Sequence, residues 1–525
     1  MSHVLRGLAA NPALPTALVD RLVAVADPDI AEGLADRDDL SGAQAAALAS
    51  RVPDVAVRLA YGGVLSAADV DPVAQPDAAL ALLDEGRGDP EWARLFAVDQ
   101  DPAIRTRLAA CPALPPDVVE RLADDDDVQV VAELALWTTA AEPAARLAEQ
   151  PHAEVRRAVA GNEAMPPDVL ARLLTGEGMP PAERCLVCDV EETPFAHDPQ
   201  CPKPDCVLRP GASCAGSHES TVLETAERGL WNPATPVATV LRFADHPSPL
   251  LRCPVAARTD LPPELWRQLA GDPCPAVRAH LAANEGIDDA AFRALAADTG
   301  HDVRRTLAHN ARVPLDVLTA LAGAVRIGPT LLPRIAAASA EEIEELARSS
   351  QPAARMLVGE RRNLPEEIRD RLAADPDAKV VKSVAPHSGL TEARLRAMVE
   401  RHGSRVVVKV ASNPDAPAAL LEDVTRHVPP VAKVFRVVAR HPRATAPALL
   451  ACLGDWQARP LAARHPNLPG AVITELLTDA DEQVAQAAAA NPSLPADVMR
   501  RLVAEAERRA PVAGSAGGDD APGGR

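Results

Sequence analysis

The sequence predicts an all-α protein: an α-solenoid of short paired helices in units of about 26 residues, carrying one small, loop-rich cysteine insert. Three observations point there. The frame Arg-x-x-Leu-x-x-Asn-x-x-Leu-Pro-x-x-Leu-x-x-x-Leu returns, with substitutions, at 6–22, 277–295, 303–321, 458–476 and 485–502. Apolar residues make up 47% of the chain but aromatics only 2%, so the interior is built from Leu, Val and Ala, which suits closely packed helices. Fifty-one prolines, about twice the average usage, keep the elements short.

At 525 residues the chain exceeds one ordinary core, so several domains or an array are expected. The residue after the central apolar position, usually Pro, falls at 15, 41, 115, 166, 262, 288, 314, 365, 391, 417, 445, 469 and 495. From 262 onward the steps are 26, 26, 51, 26, 26, 28, 24 and 26, the 51 being two periods. In DPCPAVRAHLAAN (272–284), Asp-Pro predicts a helix start, the Asp capping and the Pro filling the first turn. Asn-x-x-Leu-Pro breaks that helix and Pro begins a second, as in LPPELWRQLAGD (261–272). Neither helix is long enough to stand alone in water, so each unit depends on burial against its neighbour. The frame is weakest at 66–100 and 129–150.

The pattern Asn-Pro-x-Leu-Pro-x-x-Leu-x-x-Leu, with Asp-Pro-x-Val-Arg, resembles the leucine-rich repeat variant (LRV) family over roughly four fifths of the chain. That resemblance implies a right-handed solenoid of alternating α- and 3₁₀-helices without strands. HEAT-like α/α repeats are the alternative, although their period is longer.

Two polar columns run through the frame. Asn11, Asn162, Asn284, Asn310, Asn413 and Asn491 fill one, with Cys111, His387, His441 and His465 as substitutes. A side chain of this kind at a helix break is expected to satisfy backbone groups left open there rather than to form a polar groove. The other column holds Arg105, Arg156, Arg252, Arg278, Arg304, Arg355 and Arg459, expected to pair with the Asp of the Asp-Pro helix starts rather than to form an anion-binding stripe.

Between about 176 and 221 the frame disappears, and Gly, Pro and polar residues replace it. Five of nine cysteines lie in 185–214, four of them spaced Cys185-x2-Cys188-x12-Cys201-x4-Cys206. Two close pairs of thiolates fit tetrahedral zinc coordination, and ligation would supply folding energy that an insert without an apolar core lacks. Cys214, His197 and His218 are reserve ligands. The family resemblance implies an alternative cofactor, a cysteine-ligated [4Fe–4S] cluster, although in that family the cluster domain stands at the N-terminal end of the solenoid. Cys111, Cys253, Cys274 and Cys452 read as small buried thiols.

A net charge of −20 argues against a nucleic-acid or anionic-membrane surface, and the dearth of aromatics against base stacking. No stretch approaches 18 uncharged apolar residues, and the start MSHVLRGLAANPALP lacks the pattern of a secretory leader, so a cytoplasmic protein is expected. No phosphate-binding loop, dinucleotide fingerprint or His-Glu-x-x-His is present. The expected organisation is a solenoid over 1–175, the metal-binding insert at 176–221, a second solenoid over 222–508 and a disordered tail at 509–525. The expected function is a non-enzymatic scaffold with a structural metal site that binds a protein partner. A redox-responsive regulator, whose cluster sets the angle between the two arms, is the alternative.

Overall fold

The computed structural model describes residues 2–186 and 218–509. These form 35 α-helices and three 3₁₀ turns, Pro53–Val55, Ala67–Asp69 and Gly403–Arg405, so the second helix of nearly every unit is α rather than 3₁₀. Among the described residues the one β-type pairing is a single parallel bridge between His152 and Arg184. The protein is a helical solenoid.

Each unit has a first helix, ended by the polar column, and a second helix usually opened by Pro and otherwise by an Asp, Ser or Thr cap, as at Asp288. In one unit these are Pro275–Ala283 and Asp289–Ala296, and in the next His301–Ala308 and Leu315–Ala324. Leu281, Leu295, Leu307 and Leu318 are wholly buried between them. At 272–275 the expected helix start shifts. Two prolines compete for the first turn and the second, Pro275, takes it, with Cys274 as N-cap. Asp272 is thereby left to accept from the Cys274 N–H and from Arg252. Where a single Asp-Pro stands, at Asp27-Pro28, Asp89-Pro90 and Asp101-Pro102, the Asp does cap.

Contacts divide the chain into two compact units: Leu82–Val384, and Met1–Ala81 together with Ala385–Arg525. This cut differs from the break in the frame at 176–221. In the first unit the helices on either side of that break, Ala153–Gly161 and Glu219–Trp231, pack directly on each other, so the file continues past the insert.

In the second unit the helix Ser2–Ala9 packs on Glu482–Ala489, so the first repeat of the chain stacks on its last. The approach is close enough to require glycine. A Cβ on Gly7 would stand 2.2 Å from the Gln486 carbonyl oxygen, and one on Gly33 would stand 2.3 Å from that of Arg6.

Candidate functional site

The polar column is a ladder of buried hydrogen bonds that fixes the register of the file. Asn310 donates through Nδ2 to the carbonyls of Ala282 and Asn284, both at 2.9 Å, while its Oδ1 accepts from the Arg312 N–H at 2.9 Å. Asn284 makes the same three bonds to Ala256, Arg258 and Gly286. Asn232 makes them across the insert, to Ala160, Asn162 and Ala234. In the second unit the ladder runs from Asn413 to Asn491, and Asn11 extends it by donating to the carbonyls of Ala489 and Asn491. The column therefore satisfies backbone groups, as expected from its place at the helix break.

His441 and His465 do the same work with a ring. Nδ1 of each accepts from the N–H two residues on, so Nε2 must carry the proton that it donates to the carbonyls of Asn413 and His441, respectively. Burial holds His465 below the ordinary imidazole pKa, in keeping with a neutral ring. Arg37, Arg258 and Arg361 occupy the column too, each reaching a carbonyl of the preceding unit while its Nε is held by Asp39, Asp260 or Asn363. These three, and Asn232, were not expected from the frame. Their signal is Arg-x-[Asp/Asn]-Leu-[Pro/Ser], at 37–41, 258–262 and 361–365.

The arginine column is a set of clamps rather than an anion stripe. Arg105, Arg252, Arg278 and Arg355 each grip, through Nε and Nη2, both oxygens of the Asp 20 residues ahead: Asp125, Asp272, Asp298 and Asp375. Nη1 of each reaches a carbonyl six residues back. Each Asp also accepts from the N–H two residues on, so one side chain ties two loops together. Pairing with Asp is as expected, but Pro need not follow: Asp125, Asp298 and Asp479, which pairs with Arg459, stand in other contexts. Arg156 and Arg304 have no such Asp, because position 176 is Gly and position 324 is Ala. Arg156 turns to the carbonyls of Gln150 and Pro180 instead, and the Arg304 Nε is buried without a hydrogen-bond partner.

Of the seven candidate metal ligands, Cys185 and His218 lie among the described residues, both buried. Cys188, His197, Cys201, Cys206 and Cys214 lie outside them. Among the described residues no group of three or more His, Cys, Asp or Glu side chains is placed to hold a metal. The chain on either side of the insert lines a cleft of about 530 Å³ with Arg156, Gly176, Met179, Pro181, His218 and Thr225 on its walls. Three of the four scattered thiols are buried as expected, and burial raises Cys111 and Cys452 to about 12 and Cys253 to about 11, whereas Cys274 is half-buried.

What the ladder and clamps leave uncovered is the outer face of the first helices, at the positions one, four, five and eight residues before the column. In the second unit that face opens a cleft of about 510 Å³ lined by Gly7, Ala10, Arg464, Gln483, Gln486 and Ala490, among others. Small side chains keep it open.

No family model and no curated protein matches the chain. Among solved structures, a leucine-rich repeat variant with a novel repetitive structural motif is similar over 51% of this chain and 85% of its own, at 20% identity and a TM-score of 0.28. A chain of the Pds5–Scc1 complex is similar over 94% of this chain and 89% of its own, at 13% identity and a TM-score of 0.22. At such scores neither overlay adds to what the repeating hydrogen bonds establish.

Proposed function

We propose that the protein is a non-enzymatic scaffold that holds a protein partner along the outer face of its first helices. The observation that carries this reading is the division of labour in the repeat. Ladder and clamps consume the polar groups of the unit for stacking, and one face is left uncovered from unit to unit. A face built on packed helices holds its side chains in fixed register, which is what recognition of an extended partner needs. The test places a photo-crosslinking residue at Gln486, on that face, or at Glu475, on a second helix. Adducts formed in cells from position 486 and not from 475 are expected, and equal labelling from both would sink the reading.

We also propose that Cys185, Cys188, Cys201 and Cys206 hold one structural zinc ion. The spacing and the burial of Cys185 support this. Because the repeats on either side already stack on each other, the ion would fold its own segment rather than set the spacing of its neighbours. Elemental analysis of the purified chain is expected to give one zinc per molecule, lost on changing Cys201→Ser. Iron with acid-labile sulfide in a brown protein would replace zinc by a cluster.

A further inference from the structure

The second unit carries a run of cations with nothing to hold. Residues 385–465 contain twelve Lys and Arg against six Asp and Glu, a net of +6 inside a chain of net −20. The clamp column lapses at two successive first helices, where its positions are Val407 and Phe435, and resumes at Arg459, which pairs with Asp479. The cations sit instead on the uncovered face. Counted back from column residues Asn413 and His441, Arg405 and Lys433 occupy the eighth position, Lys409 the fourth, Arg436 the fifth and Arg440 the first, with Arg464 first before His465. Positions 433, 436 and 440 are spaced i, i+3, i+7 and so share one side of the helix Ala432–Val438 and the turn after it. The same four positions before Asn491 are Gln483, Gln486, Ala487 and Ala490, which line the cleft with Arg464. Register thus places the six cations on the continuation of that cleft.

Many Arg side chains elsewhere on the molecule are held by a carboxylate, whether in clamps or on the surface. These six have no ion pair or side-chain hydrogen bond among the described residues. Arg405, Lys433, Arg440 and Arg464 are exposed, Lys409 and Arg436 half-buried. Between them lie Val408 and Val437, both half-buried, and Ser412. Unpaired like charges gathered on adjacent helices repel one another, so their placement is a cost to the fold unless an anion covers them.

We propose that this face binds an acidic segment of a protein partner, one in which carboxylates alternate with aliphatic residues. This deepens the scaffold reading and rests on it. Cations interleaved with valines suit carboxylates on one side of an extended peptide and aliphatic groups on the other. First helices about 8–10 Å apart over three units span about five or six extended residues. Nucleic acid fits less well: the flanking surface is acidic, beginning with Asp29, Glu32 and Asp36 at the same positions two units beyond Gln486, and the face offers no Trp or Tyr on which to stack a base.

The test uses the full chain and three fluorescent probes: a twelve-residue peptide repeating Glu-Leu-Asp-Val, the same peptide with Gln and Asn for Glu and Asp, and a twelve-nucleotide oligo-dT. The acidic peptide is expected to bind at least tenfold tighter than the neutral one, and to weaken as salt rises. The double variant Arg436→Glu/Arg440→Glu should lose at least tenfold, while Arg293→Glu, on a second helix of the other unit, should lose nothing. Equal affinity for both peptides, indifference to the double variant, or tighter binding of oligo-dT would each overturn the proposal. Thermal unfolding of the double variant, expected to match the parent, keeps a folding defect from mimicking lost binding. Crosslinking from position 486 bears on the scaffold reading independently, since a partner that is not acidic would still crosslink there.

Discussion

Two stretches of the molecule solve the same stacking problem differently. Over 246–310 Asn310 stacks on Asn284, and two of the three first helices are clamped by an Arg–Asp pair, at Arg252–Asp272 and Arg278–Asp298. Over 405–465 the ladder passes from Asn413 to His441 to His465, and no clamp interrupts Val407 or Phe435. The buried bonds are conserved in kind although the residues change, because each helix break leaves the same carbonyls and N–H groups to satisfy. The charges are not conserved in kind. Cations that serve cohesion in the first stretch stand on the open face in the second. Comparing the two separates what the fold requires from what remains for recognition.

The sharpest way to break the comparison is at the ladder. Asn310→Ala removes three hydrogen bonds at once, two of them buried, leaving the carbonyls of Ala282 and Asn284 and the Arg312 N–H without their side-chain partner. A loss of about 3 kcal/mol in urea unfolding is expected, since each unsatisfied buried group costs about 1–3 kcal/mol and some will relax. A loss below about 1 kcal/mol would mean that stacking rests on apolar contact alone.

The clamp comes next. Asp298→Asn keeps the shape at Arg278 and removes the charge, and about 2 kcal/mol is expected, the scale of a charge-assisted hydrogen bond. Hydrogen bonds from Arg278 hold the Asp298 carboxyl below the usual carboxylate range. A lowered pKa gives stability that is complete above the unfolded-state value near 4 and is lost as pH falls through the folded one. The parent should therefore lose its margin over the Asn variant on acidification below about pH 4. A constant difference across that range would deny the pair its role.

How much of this was legible in the sequence follows the same division. The period, the helix pairs and the Asn column could be read because identical positions recur and each has a local reason. Asn232 escaped because Thr stands where an apolar residue precedes the other prolines, and Arg37, Arg258 and Arg361 escaped because a longer side chain of another type reaches the carbonyls of the preceding unit. Stacking of the first repeat on the last was not legible at all. Units this alike fit one another in any order, and Asn11 meets Ala489 across 478 positions with no local mark. The open face was hidden by the sum: −20 overall conceals +6 over 385–465. The clustered cysteines drew the eye instead, and only Cys185 of those four stands among the described residues.

A finer test lies in the histidine rungs. A ring that accepts at Nδ1 and donates at Nε2 has no room for a second proton, since protonation of Nδ1 destroys the bond from the Asn467 N–H. His465 has its pKa lowered by burial, so its contribution is full above the unfolded value near 6.5 and lost as pH falls through the folded value. About 1 kcal/mol should disappear over the acidic interval below about pH 6.5. His465→Asn should be flat over that interval, as the Asn rungs at 284 and 310 already are. Equal pH dependence in parent and variant would place the titration elsewhere.

The smallest effect is expected where the comparison has most to say about function. Lys433→Gln combined with Arg440→Gln removes two exposed cations whose side chains make no ion pair or hydrogen bond among the described residues. If cohesion had a use for them, stability would fall, as it does on cutting a clamp. With like charges adjacent and uncompensated, the change should instead be null or slightly stabilising, and the gain should vanish at high salt, where screening already relieves the repulsion. A melting temperature that drops at low salt would tie these cations to the fold and remove the reason for an acidic partner.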